Sequence, residues 1–218
     1  VATGSAGGQN AQNANSQLER CEAALGTLAV VEDTRAPWYR TLTTERKLGP
    51  TTPVLKLLVQ QSNCFVVVER GRAMDNMMQE RALESAGETR KGSNFGKGQM
   101  VAADYALSPS ITFSNTNAGR VGAGLGGLLP GTGGRLFGAV AGSARVKEAS
   151  TLLTLVDNRS SVQLAAAEGS ARNVDFGAFG GGFAHALGGV GGGYSNTAEG
   201  KVIVAAFTDS YNSLVKAV

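Results

Sequence analysis

Short apolar runs alternate along the chain with longer segments that carry one apolar side, and this rhythm predicts strands alternating with helices. Ala24–Glu32 (ALGTLAVVE) reads as a buried strand. Thr52 followed by Pro53 predicts a helix start, because proline fits the first helical position. Val54, Leu55, Leu57 and Leu58 then give that helix an apolar face up to about Ser62. Cys64–Glu69 (CFVVVE) is β-branched and apolar, the composition of a second buried strand. Arg70–Leu83 predicts a helix with Ala73, Met74, Met77, Met78 and Ala82 on one stripe, read as core packing. Strand, helix, strand, helix in that order argues for parallel strands with helices packed on them.

The intervening segments read differently. Asp33–Pro50 has two prolines, the sole tryptophan (Trp38), Tyr39 and no clear period, so a loop is expected. Residues 84–99 are polar and read as an exposed loop. Met100–Ala106 leads into a strand at Ser110–Ser114, interrupted by Pro109. Ala149–Val156 and Ser161–Ala167 flank Asp157-Asn158-Arg159-Ser160, a hairpin turn. From Thr197 to Ala217, Val202, Ile203, Ala206, Phe207, Tyr211, Leu214 and Val215 lie on a helical face. Residues 1–20 are dominated by Gly, Ala, Asn, Gln and Ser and read as a flexible tether, with order beginning near Cys21. That leaves residues 21–218 as one α/β domain.

Composition changes this picture at two places. The 218 residues include 31 glycines, about twice the roughly 7% of an average chain. The excess gathers in Gly119–Gly142 and Gly177–Gly193, each just beyond a strand, and hairpin insertions are expected at about 115–146 and 168–196. A membrane-spanning strand takes about 9–11 residues with alternate apolar positions. Leu136–Val146 approaches that pattern, with Leu136, Val140 and Val146 on one face. Phe176, Phe179 and Phe183 are the candidates in the second insertion, amid glycines and without a clean period of two. Barrel-forming hairpins, contacts between subunits and surface loops are three readings of these segments.

Charge and ligand chemistry mostly exclude. A net charge of +3 without a basic, aromatic-laced stripe gives no ground for a nucleic-acid partner. One histidine (His185) and two cysteines are too few for a structural zinc site, and neither metal nor cofactor is expected. Gly122–Gly127 spells GxGxxG, but Pro130, Gly131, Gly133 and Gly134 leave no helix to receive a pyrophosphate. Asp33, Glu69 and Asp104 lie near strand ends, where ion pairs with arginines such as Arg35 and Arg70 are a commoner role than acid–base catalysis. No catalytic residue is assigned, and the chain is not expected to be an enzyme. Cys21 and Cys64 both open predicted parallel strands, so a disulfide in an oxidising compartment and two buried thiols are the alternatives.

The stretch VLKLLVQQSNCFVVVERGRAMDNMMQERAL (Val54–Leu83), with Glu69-Arg70 closing the strand and Glu80-Arg81 closing the helix, resembles the CsgG family of curli-secretion proteins. Ala102-Ala103-Asp104-Tyr105 leading to Pro109-Ser110-Ile111-Thr112, the strand–turn–strand Leu153–Ala171 and the closing helix are similar in order and spacing, over about residues 23–217. The resemblance implies a periplasmic domain with a mixed sheet flanked by helices. It also implies two hairpins per protomer, which in the curli channel join those of neighbours in one transmembrane barrel. A homo-oligomeric ring in the bacterial outer membrane and periplasm is then expected, passively exporting an unfolded polypeptide. The alternative is a structural module, without a pore, that joins other envelope assembly proteins. By position alone, Trp38 and Tyr39 fall where that family lines its pore constriction; packing at the domain edge or a subunit contact is their other reading.

Overall fold

The computed structural model describes residues 16–113, 148–172, 193–194 and 197–218. Five strands form one mixed sheet: β1 (Thr27–Val30), β2 (Val66–Val67), β3 (Tyr105–Phe113), β4 (Glu148–Asp157) and β5 (Gln163–Arg172), in the order β2-β1-β3-β4-β5. β1 runs parallel to both β2 and β3, and β3, β4 and β5 are antiparallel. The helices are α1 (Pro37–Arg40), α2 (Thr52–Ser62), α3 (Arg72–Ser85) and α4 (Ala198–Ala217), with a π-helical turn at Thr41–Glu45.

Alternation of side chains across the pleat builds the core. Leu107 and Ile111 of β3, Leu153 and Leu155 of β4, and Ala167 and Ala171 of β5 all turn inward. α4 lays Val202, Ile203, Ala206, Phe207, Tyr211 and Leu214 over β4 and β5. Each large apolar side chain removed from water contributes about 1.5–3 kcal/mol. A Cβ on Gly169 would stand 2.3 Å from the backbone of both Ala206 and Ser210, so the helix can lie this low only over a glycine. Beside it, Thr151 and Ser210 share a buried hydroxyl contact of 3.0 Å. The Tyr211 hydroxyl meets Ser62 Oγ at 2.7 Å, tying α4 to the end of α2.

The expected helix at Thr52–Ser62 forms, and Glu32 accepts from the Thr51 amide and hydroxyl and from the Thr52 hydroxyl at its start. The hairpin turn forms too: Asp157 Oδ1 accepts from the Arg159 and Ser160 amides, both at 2.8 Å. Three expectations are corrected. Residues 37–45 are helical, not a loop, because Pro37 opens α1 and Leu42 is drawn fully into the core. Pro109 does not interrupt β3; β1 pairs only as far as Leu107, so the missing N–H falls on an uncovered edge. The methionine stripe of α3 is not core: none of its described side chains is buried, and Met78 is 51% exposed.

The N-terminal anchor begins inside the stretch read as tether. Leu18 is buried, the Glu19 amide donates to Asn212 Oδ1 at 2.8 Å, and Asn212 Nδ2 donates to the Gln17 carbonyl at 2.6 Å. The Cys21 amide donates to the Ser62 carbonyl, and Cys21 is bonded to Cys64, closing a 43-residue separation. Asp104 pins the start of β3 to β1. Its Oδ2 accepts from the Thr27 amide and hydroxyl, each at 3.0 Å, and its Oδ1 from Arg159 at 2.6 Å. The Thr27 amide, the Thr27 hydroxyl and Arg159 together hold this carboxyl below the ordinary aspartate value of 3.8.

Two outcomes follow. Cys21→Ser should lower unfolding stability by about 2–4 kcal/mol, measured by denaturant titration; an unchanged midpoint would show that the backbone and Asn212 contacts suffice. A depressed native pKa adds stability that is present above the unfolded value and lost as pH falls toward the native one. Asp104→Asn should therefore flatten the fall of melting temperature below pH 3.8. Asp157, held down mainly by Ser160, keeps part of that slope.

Candidate functional site

One end of the sheet gathers what matters. Phe113 ends β3 opposite Ala149 near the start of β4, and Glu148 sits opposite Arg172, the last residue of β5. A Glu148–Arg172 ion pair of 3.3 Å lies at this end. Residues 114–147 therefore leave and return on neighbouring antiparallel strands. Residues from 173 onward depart one strand further along the same end, and the chain is described again at Gly193. Both glycine-rich segments share this end, although β5 remains paired through residues 168–172, where the second insertion was expected to start.

The segment 36–50 crosses this end as a strap. Trp38 and Tyr39 sit on α1, half-buried, their rings edge to face at 5.8 Å. Ala36 supplies no side-chain cap, but Pro37 presets the first helical φ. The π-helical turn follows, a rare geometry often found at functional sites. Leu42 anchors it in the core, and the Leu48 amide donates to the Leu42 carbonyl at 3.1 Å. Lys47 between them takes a left-handed conformation, φ 54°.

Beyond the turn, the strap touches the roots of both segments. The Arg46 guanidinium lies over the Phe113 ring, 5.2 Å from its centroid, and pairs with Glu199 in the first turn of α4. The end of the Leu48 side chain lies 2.9 Å from where a Cβ on Gly193 would stand, and Gly193 itself has φ +99°, a left-handed conformation that favours glycine at this turn. The Tyr194 hydroxyl donates to the Gly49 carbonyl at 2.7 Å. Burial, then the neighbouring Glu32 charge, push the Tyr194 phenol far above its ordinary value, so it remains a donor. Thr197 caps α4 by accepting from the Gly200 amide at 2.9 Å.

The other residues singled out from sequence fall as follows. Leu136, Val140, Val146, Phe176, Phe179 and Phe183 lie outside the described residues, as do His185 and Gly122–Gly127. Cys21 and Cys64 are joined, near the starts of β1 and β2 and away from the strap. Asp33, Glu69 and Asp104 do not converge. Asp33 accepts from the Arg35 amide, Glu69 pairs with Lys56 at 2.5 Å, and Asp104 serves Thr27 and Arg159. No cluster of three acidic, histidine or cysteine side chains fit for a metal occurs among the described residues. Arg46, Tyr194 and Glu199 escaped sequence reading. Pro37 after Ala36 was the one local signal for a helix here, and the partners of Arg46 are separated from it by 67 and 153 positions.

A second feature lies beside β2. α3 stands clear of the core and leaves a groove of about 240 Å³ lined by Val68, Ala73, Met74, Met77, Met100 and Val101. No helix among the described residues is long and apolar enough to cross a membrane.

The family described as curli production assembly/transport component CsgG matches residues 8–218. A search of curated proteins found no match.

Tyr194→Phe should cost about 1–2 kcal/mol, because it leaves the Gly49 carbonyl without its donor. Faster hydrogen exchange at the Leu48 amide should accompany it; unaltered exchange there would show that the strap holds without Tyr194.

Proposed function

The chain belongs to the CsgG family, whose match covers nearly all of it, and on that premise we propose that it is one subunit of a ring-shaped outer-envelope pore that passively exports an unfolded polypeptide. The carrying observation is the common end of the sheet from which both glycine-rich segments depart, the first from directly paired antiparallel strands. An antiparallel pair whose connection is long can continue its ladder as a hairpin. Hairpins from several copies can close into a barrel that leaves no unpaired edge in lipid. In this reading residues 115–146 and 173–196 supply the hairpins, with Leu136, Val140, Val146, Phe176, Phe179 and Phe183 among their apolar positions.

Apolar surface at both flanks of the sheet supports assembly from identical copies. Val66, Met78 and Val101 are exposed beside β2, and Leu152, Val162 and Leu164 beside β4 and β5. Two different faces of one chain, meeting head to tail, generate a ring when the rotation closes. Trp38 and Tyr39 then repeat around the axis as a constriction of aromatic side chains, narrowing the path by size. No bond is made or broken in this role, and it calls for no cofactor.

Detergent-purified protein should appear in electron micrographs as rings with a membrane-thick collar and should form channels in planar bilayers. Trp38→Ala with Tyr39→Ala should raise conductance while leaving ring assembly intact. Monomers that remain soluble without detergent would instead fit a structural module without a pore.

A further inference from the structure

We propose that Arg46 is a positioning residue that sets the pose of the Trp38–Tyr39 helix and the roots of both glycine-rich segments together. Its guanidinium makes two unlike contacts. The charged group lies over the ring of Phe113, the last residue of β3, and an N–H of it pairs with Glu199, in the first turn of the helix that follows the second segment. Arginine suits this double duty because its charge is delocalised over a plane that can stack and hydrogen-bond at once. The Arg46 and Glu199 side chains are only 30% and 18% exposed, so the pair is partly shielded from water.

The link from Arg46 back to the aromatic pair is short and stiff. The Arg46 amide donates to the Thr41 carbonyl at 3.0 Å, closing the π-helical turn that continues α1. Leu42, wholly buried, fixes that turn to the core, so a shift at Arg46 cannot be absorbed by sliding. Phe113 and Glu199 therefore act on Trp38 through one intermediate side chain. The coupling stands on these contacts alone, and its use in controlling passage rests on the pore reading above.

Trp38 is the only tryptophan, so its fluorescence reports the α1 helix without a label. In the full chain, Arg46→Ala and Glu199→Gln should each raise acrylamide quenching of Trp38 by about twofold. The double variant should be no more quenched than the stronger single one, because residues acting through one contact are not additive. Arg46→Lys, which keeps the charge but not the broad delocalised group over Phe113, should fall between. Leu153→Ala, a core variant of β4, should lower the melting temperature without raising quenching. Glu199→Gln carries the test if Arg46→Ala does not fold. Unchanged quenching in both singles, additive effects, or equal quenching in Leu153→Ala would overturn the coupling. In bilayers, Arg46→Ala should broaden the conductance distribution. Absence of channels from the unaltered chain, with Trp38 still responding to Arg46, would overturn the pore reading and support the coupling.

Discussion

The low seat of α4 on β4 and β5 governs the rest of the structure. At Gly169 the helix backbone approaches the strand so closely that any side chain there would meet main-chain atoms of Ala206 and Ser210. That approach lets α4 bury much of its length against β4 and β5 and brings Tyr211 within reach of Ser62. It also fixes which way the helix points. Its start, capped by Thr197, lies at the sheet end where both glycine-rich segments leave, and its other end holds Asn212 and Lys216 against the N-terminal anchor. A tilt of α4 would disturb both ends at once.

The molecule thus has a firm middle and two differently built ends. Around the starts of β1 and β2, the disulfide, the Asp104–Thr27 bonds and the Asn212 bonds fasten the chain with covalent and polar ties. At the other end, Arg46 joins Phe113 to Glu199 and Tyr194 bonds the strap at Gly49. α3 belongs to neither end. Its methionines are only partly covered, and residues 99–101 line the other side of the open groove. Flexible, polarisable methionine suits a surface that adapts to what it meets.

Much of the fold could be read from local patterns, and the failures have identifiable causes. α2 was legible because a Thr-Pro start and an apolar face agreed, and the β4–β5 hairpin because polar turn residues separated two apolar runs. α1 was missed because a four-residue helix carries no periodicity, leaving only Pro37 to announce it. The stripe on α3 has the spacing of a core face, and spacing alone does not say whether the other side of the contact lies in the same chain. Pro109 misled because the rule against proline in strands concerns paired backbone, and β1 stops short of it. The candidate site was legible only in part. Trp38 stood out as the sole tryptophan, whereas Arg46 gains meaning only when Phe113 and Glu199 are brought beside it.

The π-helical turn at Thr41–Glu45 has a consequence for rotational phase. Such a turn is equivalent to an α-helix holding one surplus residue. Since each α-helical residue advances the chain by about 100°, removing one position from the turn would swing Trp38 and Tyr39 about the helix axis relative to Arg46. The aromatic pair and the arginine keep their present bearings only while that extra residue is carried. A one-residue change of length, with no change in side-chain chemistry, is enough to point the rings elsewhere.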